Sequence, residues 1–136
     1  AQATVVASTP ARTLSRRGIT KNDLLNLTSQ LAIMAQAGVD IASALRMLTE
    51  DCPNLKLKEA LEAVHERVSA GEPVSEALQR QSHIFGEAYV ASVAAGEASG
   101  KLQLVLSRLA QLLRADIRLS STLRGLLAYP IVLLVV

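Results

Sequence analysis

The sequence predicts an all-α protein: a compact bundle of about six helices, the last leading into a truncated transmembrane segment. Three observations carry this prediction. Half of the 136 residues are apolar, yet only 2% are aromatic, and Ala, Leu and Val dominate. These include the residues that lose least side-chain freedom in a helix. Apolar positions recur at spacings of three and four, the mark of one buried helical face. Gly and Pro punctuate the chain between these stripes.

Residues 1–19 show no amphipathic period, are rich in Ala, Ser, Thr and Arg, and are interrupted by Pro10. They read as a disordered leader or linker. The composition also resembles an organelle transit peptide, but no apolar core follows the charges, which excludes a secretory signal. The first helix starts at Thr20, an N-cap residue, with Asp23 adding an acid to the positive first turn. Leu24, Leu27, Leu31 and Met34 form its stripe, and Leu25, Ala32 and Ile33 widen it, so it is expected to touch two neighbours. Gly38 ends it. The second helix is capped by Asp40, carries Ile41, Ala44, Leu45 and Leu48, and ends before Pro53. The third runs from about Asn54 to Ala70, with Leu57, Leu61, Val64 and Val68 inward and Lys58, Glu59, Glu62 and Glu66 outward. A short fourth follows Pro73 with Val74, Ala77 and Leu78. The fifth spans roughly Gly86 to Ala98, and the sixth begins near Lys101 with Leu102, Leu106, Leu109 and Leu113. No stop signal follows until Gly125 and Pro130, so the sixth helix is expected to be long.

The last eleven residues, "LLAYPIVLLVV", carry no charge. As a helix they reach about 17 Å, roughly half of a hydrocarbon core. They read as the first half of a transmembrane helix, the other reading being a buried C-terminal helix. The domain boundaries are therefore 1–19 leader, 20–124 helical bundle and 125–136 start of the first span. The net charge of +2 hides an asymmetry. Residues 101–124 hold Lys101, Arg108, Arg114, Arg118 and Arg124 against Asp116 alone, while residues 21–100 hold six basic and eleven acidic side chains. Basic residues beside a span are enriched on the cytoplasmic side, where anionic headgroups attract them. Both rules place residues 20–124 in the cytoplasm.

Chemical motifs are sparse. "AAGEASGKL" (94–102) invites comparison with a phosphate-binding loop. That loop needs four residues between its glycines, a hydroxyl after the lysine and a preceding strand. Here three residues separate Gly96 from Gly100, Leu102 replaces the hydroxyl, and "YVASVAA" reads as helix. A helical hinge explains the stretch better: Gly96 permits a close approach or a helix end, Gly100 can take positive φ, and Ser99 can cap the next helix. Glu97 is the residue a bare hinge does not need; solvent, a partner contact or a cation could claim it. His65 and His83 lie eighteen residues apart, Cys52 is the single cysteine, and no "G-x-S-x-G" occurs, so neither a metal site nor a nucleophile is expected. The arginines have almost no aromatics among them, and an acidic middle would repel a phosphate backbone, so no nucleic-acid partner is expected.

Four stretches resemble the type II secretion system protein F family, which includes the type IV pilus inner-membrane platform protein. In "LTSQLAIMAQAGVDIASAL" (27–45) the matching residues include Gln30, Leu31, Gly38 and Leu45. "SAGEPVSEAL" (69–78) is similar through Gly71, Ser75, Ala77 and Leu78. "FGEAYVASVAAGEASGKL" (85–102) resembles the family's most specific stretch through Phe85, Tyr89, Gly96, Glu97, Ser99 and Gly100. "YPIVLLVV" (129–136) resembles the opening of its first membrane span. The chain departs from the pattern at Ser29, where arginine is usual, at Gly86, where proline is usual, and at Gln103–Leu104. The resemblance implies a non-enzymatic domain on the cytoplasmic side of the bacterial inner membrane, without cofactor. It implies as partners a cytoplasmic assembly ATPase, other inner-membrane assembly proteins and pilin-like subunits, with homodimerisation left open. Gly96, Glu97, Ser99 and Gly100 are the residues expected to shape a functional surface or structural motif. The alternative is a soluble helical adaptor with a hydrophobic tail helix.

Overall fold

The computed structural model describes residues 18–135, with side chains through Ser120. The leader expected over 1–19 therefore lies, through residue 17, outside the described residues. Seven helices follow one another among the described residues: α1 (Lys21–Gln36), α2 (Ile41–Glu50), α3 (Leu55–Ser69), α4 (Val74–Gln79), α5 (Ser82–Phe85), α6 (Glu87–Ser99) and α7 (Leu102–Val135). Helices α1, α2 and α3 begin where the sequence supplies a capping side chain. Thr20 and Asp23 exchange a complete capping box, Asp23 N–H to Thr20 Oγ1 at 3.2 Å and Thr20 N–H to Asp23 Oδ2 at 2.9 Å. Asp40 accepts from Ser43 N–H at 3.0 Å, and Asn54 Oδ1 accepts from Leu57 N–H at 3.1 Å. Asn54 is buried, and its Nδ2 also reaches the Gly18 carbonyl at 3.3 Å, tying the chain entering α1 to the start of α3.

The main axis of the bundle is the antiparallel pair α1 and α7. Lys21 Nζ meets Asp116 Oδ2 at 2.6 Å near one end of α1, and Gln36 Nε2 donates to Ser107 Oγ at 2.6 Å near the other. Helix α2 packs against both α1 and α3, and α4 bridges α3 to α6. The core between them is aliphatic, with Leu45, Leu61, Val64 and Val93 at most 2% exposed. Phe85 and Tyr89 supply its aromatic end, their ring centroids 5.3 Å apart.

Four expectations change. The one-turn α5, a helix beyond the six expected, separates α4 from α6 and contains His83. Four residues are too few to show a period of 3.6, which is why the sequence hides them. Ile33 is 66% exposed and lies opposite the Leu24–Leu27–Leu31 stripe, so it does not widen the face with which α1 packs on α2 and α7. Ser99 does not cap α7, as described below. Gly125 and Pro130 do not stop the last helix, whose backbone runs on to Val135. Among the described residues no helix is long and apolar enough to cross a membrane.

Candidate functional site

The stretch from Phe85 to Leu102 forms α6 and the hairpin into α7. Gly86 opens it at φ 91°, ψ 151°. Proline, whose ring holds φ near −65°, could not make this turn. The departure at Gly86 is thus a different turn geometry, one that only glycine enters at low cost. Gly100 closes α6 at φ 71°. The Lys101 amide donates to the Gly96 carbonyl at 2.9 Å and the Gly100 amide to the Glu97 carbonyl at 3.3 Å. These two bonds make a Schellman turn and satisfy carbonyls that the end of α6 would otherwise orphan. A phosphate-cradling loop offers its amides to a ligand. Here those of Gly100 and Lys101 are already taken, which leaves the hinge reading.

At Gly96 the helices α6 and α7 leave no room for a side chain. A methyl group at its Cα would stand 2.9 Å from Val105 Cγ2, 3.1 Å from Val105 Cβ and 3.2 Å from the Leu102 Cα. Ser99 donates back to the Gly96 carbonyl at 3.3 Å. It cannot cap α7 because that helix begins at Leu102, and the capping carbonyl is Lys101's, bonded to Val105 N–H at 3.1 Å.

Glu97 points the other way, across the bundle. Its Oε2 accepts from Val74 N–H at 2.7 Å and its Oε1 from Ser75 N–H at 2.9 Å. Those are the first amides of α4, whose N-cap residue is Pro73 and whose start has no capping side chain of its own. Glu97 thus supplies the capping carboxylate that Pro73 lacks, from twenty-three and twenty-two residues further along the sequence. The carboxylate also meets the positive end of the α4 dipole, so charge and hydrogen bonding act together. Sequence reading divided Glu97 among solvent, partner and cation; its carboxylate is engaged within the chain. Among the described residues no group of three or more His, Cys, Asp and Glu is placed to hold a metal ion. Val74 and Ser75 were missed as Glu97's partners. The available signal was Pro73, a helix start that lacks a side-chain acceptor and so requires one from elsewhere.

The same helix is pinned to α1. Tyr89 OH and Thr28 Oγ1 are 2.8 Å apart, both buried, while Thr28 donates its one hydrogen to the Leu24 carbonyl at 2.7 Å. Tyr89 is therefore the donor to Thr28. Burial pushes the Tyr89 phenol up to about 12. Thr28→Val strands a buried phenol and is expected to cost about 1–3 kcal/mol. Tyr89→Phe leaves Thr28 bonded to Leu24 and is expected to cost less, about 0.5–1.5 kcal/mol. The folded pKa lies above the unfolded one, so Tyr89's contribution is complete below about pH 10 and is lost as pH rises toward about 12. Urea midpoints measured from pH 9 to 12 should fall more steeply in the wild type than in Tyr89→Phe. Parallel curves would show that the phenol is not held neutral.

The fold and hairpin define a class: an all-α bundle hung on one long terminal helix, with a G-E-x-S-G turn latched to a neighbouring helix. The sequence pattern described as "Type II secretion system (T2SS), protein F" matches residues 27–136. The chain belongs to that family. It is 37% identical over 120 residues to the type II secretion system protein F of Vibrio cholerae, covering 88% of this chain and 30% of that protein. It is 39% identical over 119 residues to the type IV pilus assembly protein PilC of Thermus thermophilus, covering 88% of this chain and 29% of that one. It is 36% identical over 123 residues to the type II secretion system protein F of Aeromonas hydrophila, covering 90% of this chain and 32% of that relative. The chain thus spans about three-tenths of the length of these relatives.

Proposed function

We propose that this chain is a non-enzymatic part of the inner-membrane platform of a type II secretion or type IV pilus assembly machine. In this reading the bundle faces the cytoplasm and meets the assembly ATPase, other inner-membrane assembly proteins and pilin-like subunits. Its work is mechanical: force applied to the bundle passes along α7 toward the bilayer. The observation that carries the reading is that α7 is one uninterrupted helix of 34 residues, about 50 Å long at 1.5 Å per residue. One portion is braced by α1 at Ser107 and Asp116, and its far portion carries the uncharged run 126–135. A continuous helix transmits displacement and torque, whereas a flexible joint absorbs both.

Inserting four glycines or four alanines between Ser120 and Ser121 of the intact gene product tests this. Both insertions add the same number of residues, but only glycine makes the joint flexible. Secretion or piliation is expected to be lost with tetraglycine and largely kept with tetra-alanine, while bundle melting is unchanged in both. Equal activity of the two insertions would overturn mechanical coupling.

A further inference from the structure

Exposed positive charge accumulates along α7 and just before it. Lys101, Arg108, Arg114 and Arg118 are exposed, and no ion pair engages any of them among the described residues. The one acid of this segment, Asp116, is held by Lys21 at 2.6 Å. Arg114 and Arg118 are four residues apart, hence on one face of the helix, whereas Asp116 is two from each and lies on another. Beyond Asp116 the helix has passed the first residue of α1, its brace. The place where α7 leaves the bundle therefore carries two unpaired cations, with Leu119, 60% exposed, beside them.

We propose that Arg114 and Arg118 form a docking surface for anionic lipid headgroups, resting on the reading that residues 126–135 enter a bilayer. Distances along the helix decide which cations take part. With Leu126 at the hydrocarbon boundary, Arg124 lies about 3 Å from it along the helix, inside the headgroup layer itself, Arg118 about 12 Å, Arg114 about 18 Å and Arg108 about 27 Å. The polar region of one leaflet is about 5–8 Å deep. Arg118 is then within one Debye length, about 8 Å at physiological ionic strength, of the charged surface. Arg114, about 10–13 Å from that surface, lies beyond one Debye length, and a tilt of the helix toward their shared face brings it closer. Arg108 is far outside. A basic side chain near such a surface strengthens binding roughly five-fold. The contact would fix the rotation of α7 about its axis, and with it the face that the bundle turns to its partners.

The test is co-sedimentation of the whole chain with vesicles of phosphatidylcholine alone, or of phosphatidylcholine with about a third phosphatidylglycerol. The wild type is expected to bind neutral vesicles through its apolar run and anionic vesicles more tightly. Arg118→Gln should cut the anionic increment roughly three- to five-fold, Arg114→Gln less, and both together about ten-fold. Arg108→Gln should leave it unchanged, and high salt should remove it. All three positions are exposed, so melting temperatures should match the wild type. An anionic increment that the double substitution leaves undiminished, or that Arg108→Gln reduces equally, overturns the lipid contact while leaving the membrane reading intact. Failure to bind either vesicle overturns the membrane reading, and the lipid contact with it.

Discussion

Glu97→Ala is expected to lower the unfolding free energy by about 2–3 kcal/mol, because it removes both acceptors from the first turn of α4. The two bonds, at 2.7 and 2.9 Å, are charge-assisted and join elements far apart in sequence. Helix α4 has six residues and cannot stand alone. Its start carries no local cap, so the amides of Val74 and Ser75 lose their only side-chain acceptor. In a domain of this size the change corresponds to a melting decrease of roughly 10 °C. Glu97→Gln keeps one acceptor oxygen but not the charge, and should fall between the two, about 1 kcal/mol below the wild type. Amide exchange gives the local readout: Val74 and Ser75 should lose protection in the alanine variant while the amides of α1 keep theirs. Unfolding need not follow, since Glu72 also holds the α3–α4 turn through Arg67 at 3.6 Å and Arg80 at 3.4 Å. If the alanine variant melted with the wild type and kept both amides protected, the capping role would be wrong. A loss of secretion in such a stable variant would make Glu97 a partner contact.

What sequence could show, and what it could not, follows the reach of each interaction. Thr20, Asp40 and Asn54 cap α1, α2 and α3 through residues three positions on, so their helix starts are legible from neighbours. Gly100 ends α6 through bonds spanning five residues or fewer, and the hinge is legible for the same reason. The Glu97 latch joins residues more than twenty apart, and no local pattern encodes the pairing. Ile33 misled because an apolar residue beside a stripe looks like its extension; only packing shows that it faces away. Ser99 misled because a serine before a helix suits capping, but the turn needed two more residues before α7 could begin. Gly125 and Pro130 are ordinary helix breakers, and the helix passes both. A proline removes one backbone bond, a local loss that a long helix can absorb.

Gly96→Ala reverses the usual sign of that exchange. Within a helix, alanine in place of glycine ordinarily stabilises by about 0.5–1 kcal/mol. Gly96 is inside α6 with ordinary helical geometry, so propensity alone favours the substitution. The contacts oppose it. The new methyl would meet Val105 Cγ2 at 2.9 Å, and Val105 is β-branched and so has few rotamers with which to yield. It would also meet the Leu102 Cα at 3.2 Å, which is backbone and moves only if α7 moves. The bond from Lys101 N–H to the Gly96 carbonyl, 2.9 Å, ties the two helices at this level and resists their separation. Overpacking of this kind costs about 1–3 kcal/mol, enough to exceed the propensity gain. Calorimetry should therefore show Gly96→Ala melting below the wild type. Val105→Ala removes the shortest of the three contacts, the one to Cγ2, so the double variant should lose less than the two single losses added together. An alanine at 96 that melts at or above the wild type would mean that α6 and α7 are not held this closely. The specific stretch would then owe its glycine to something other than the hairpin.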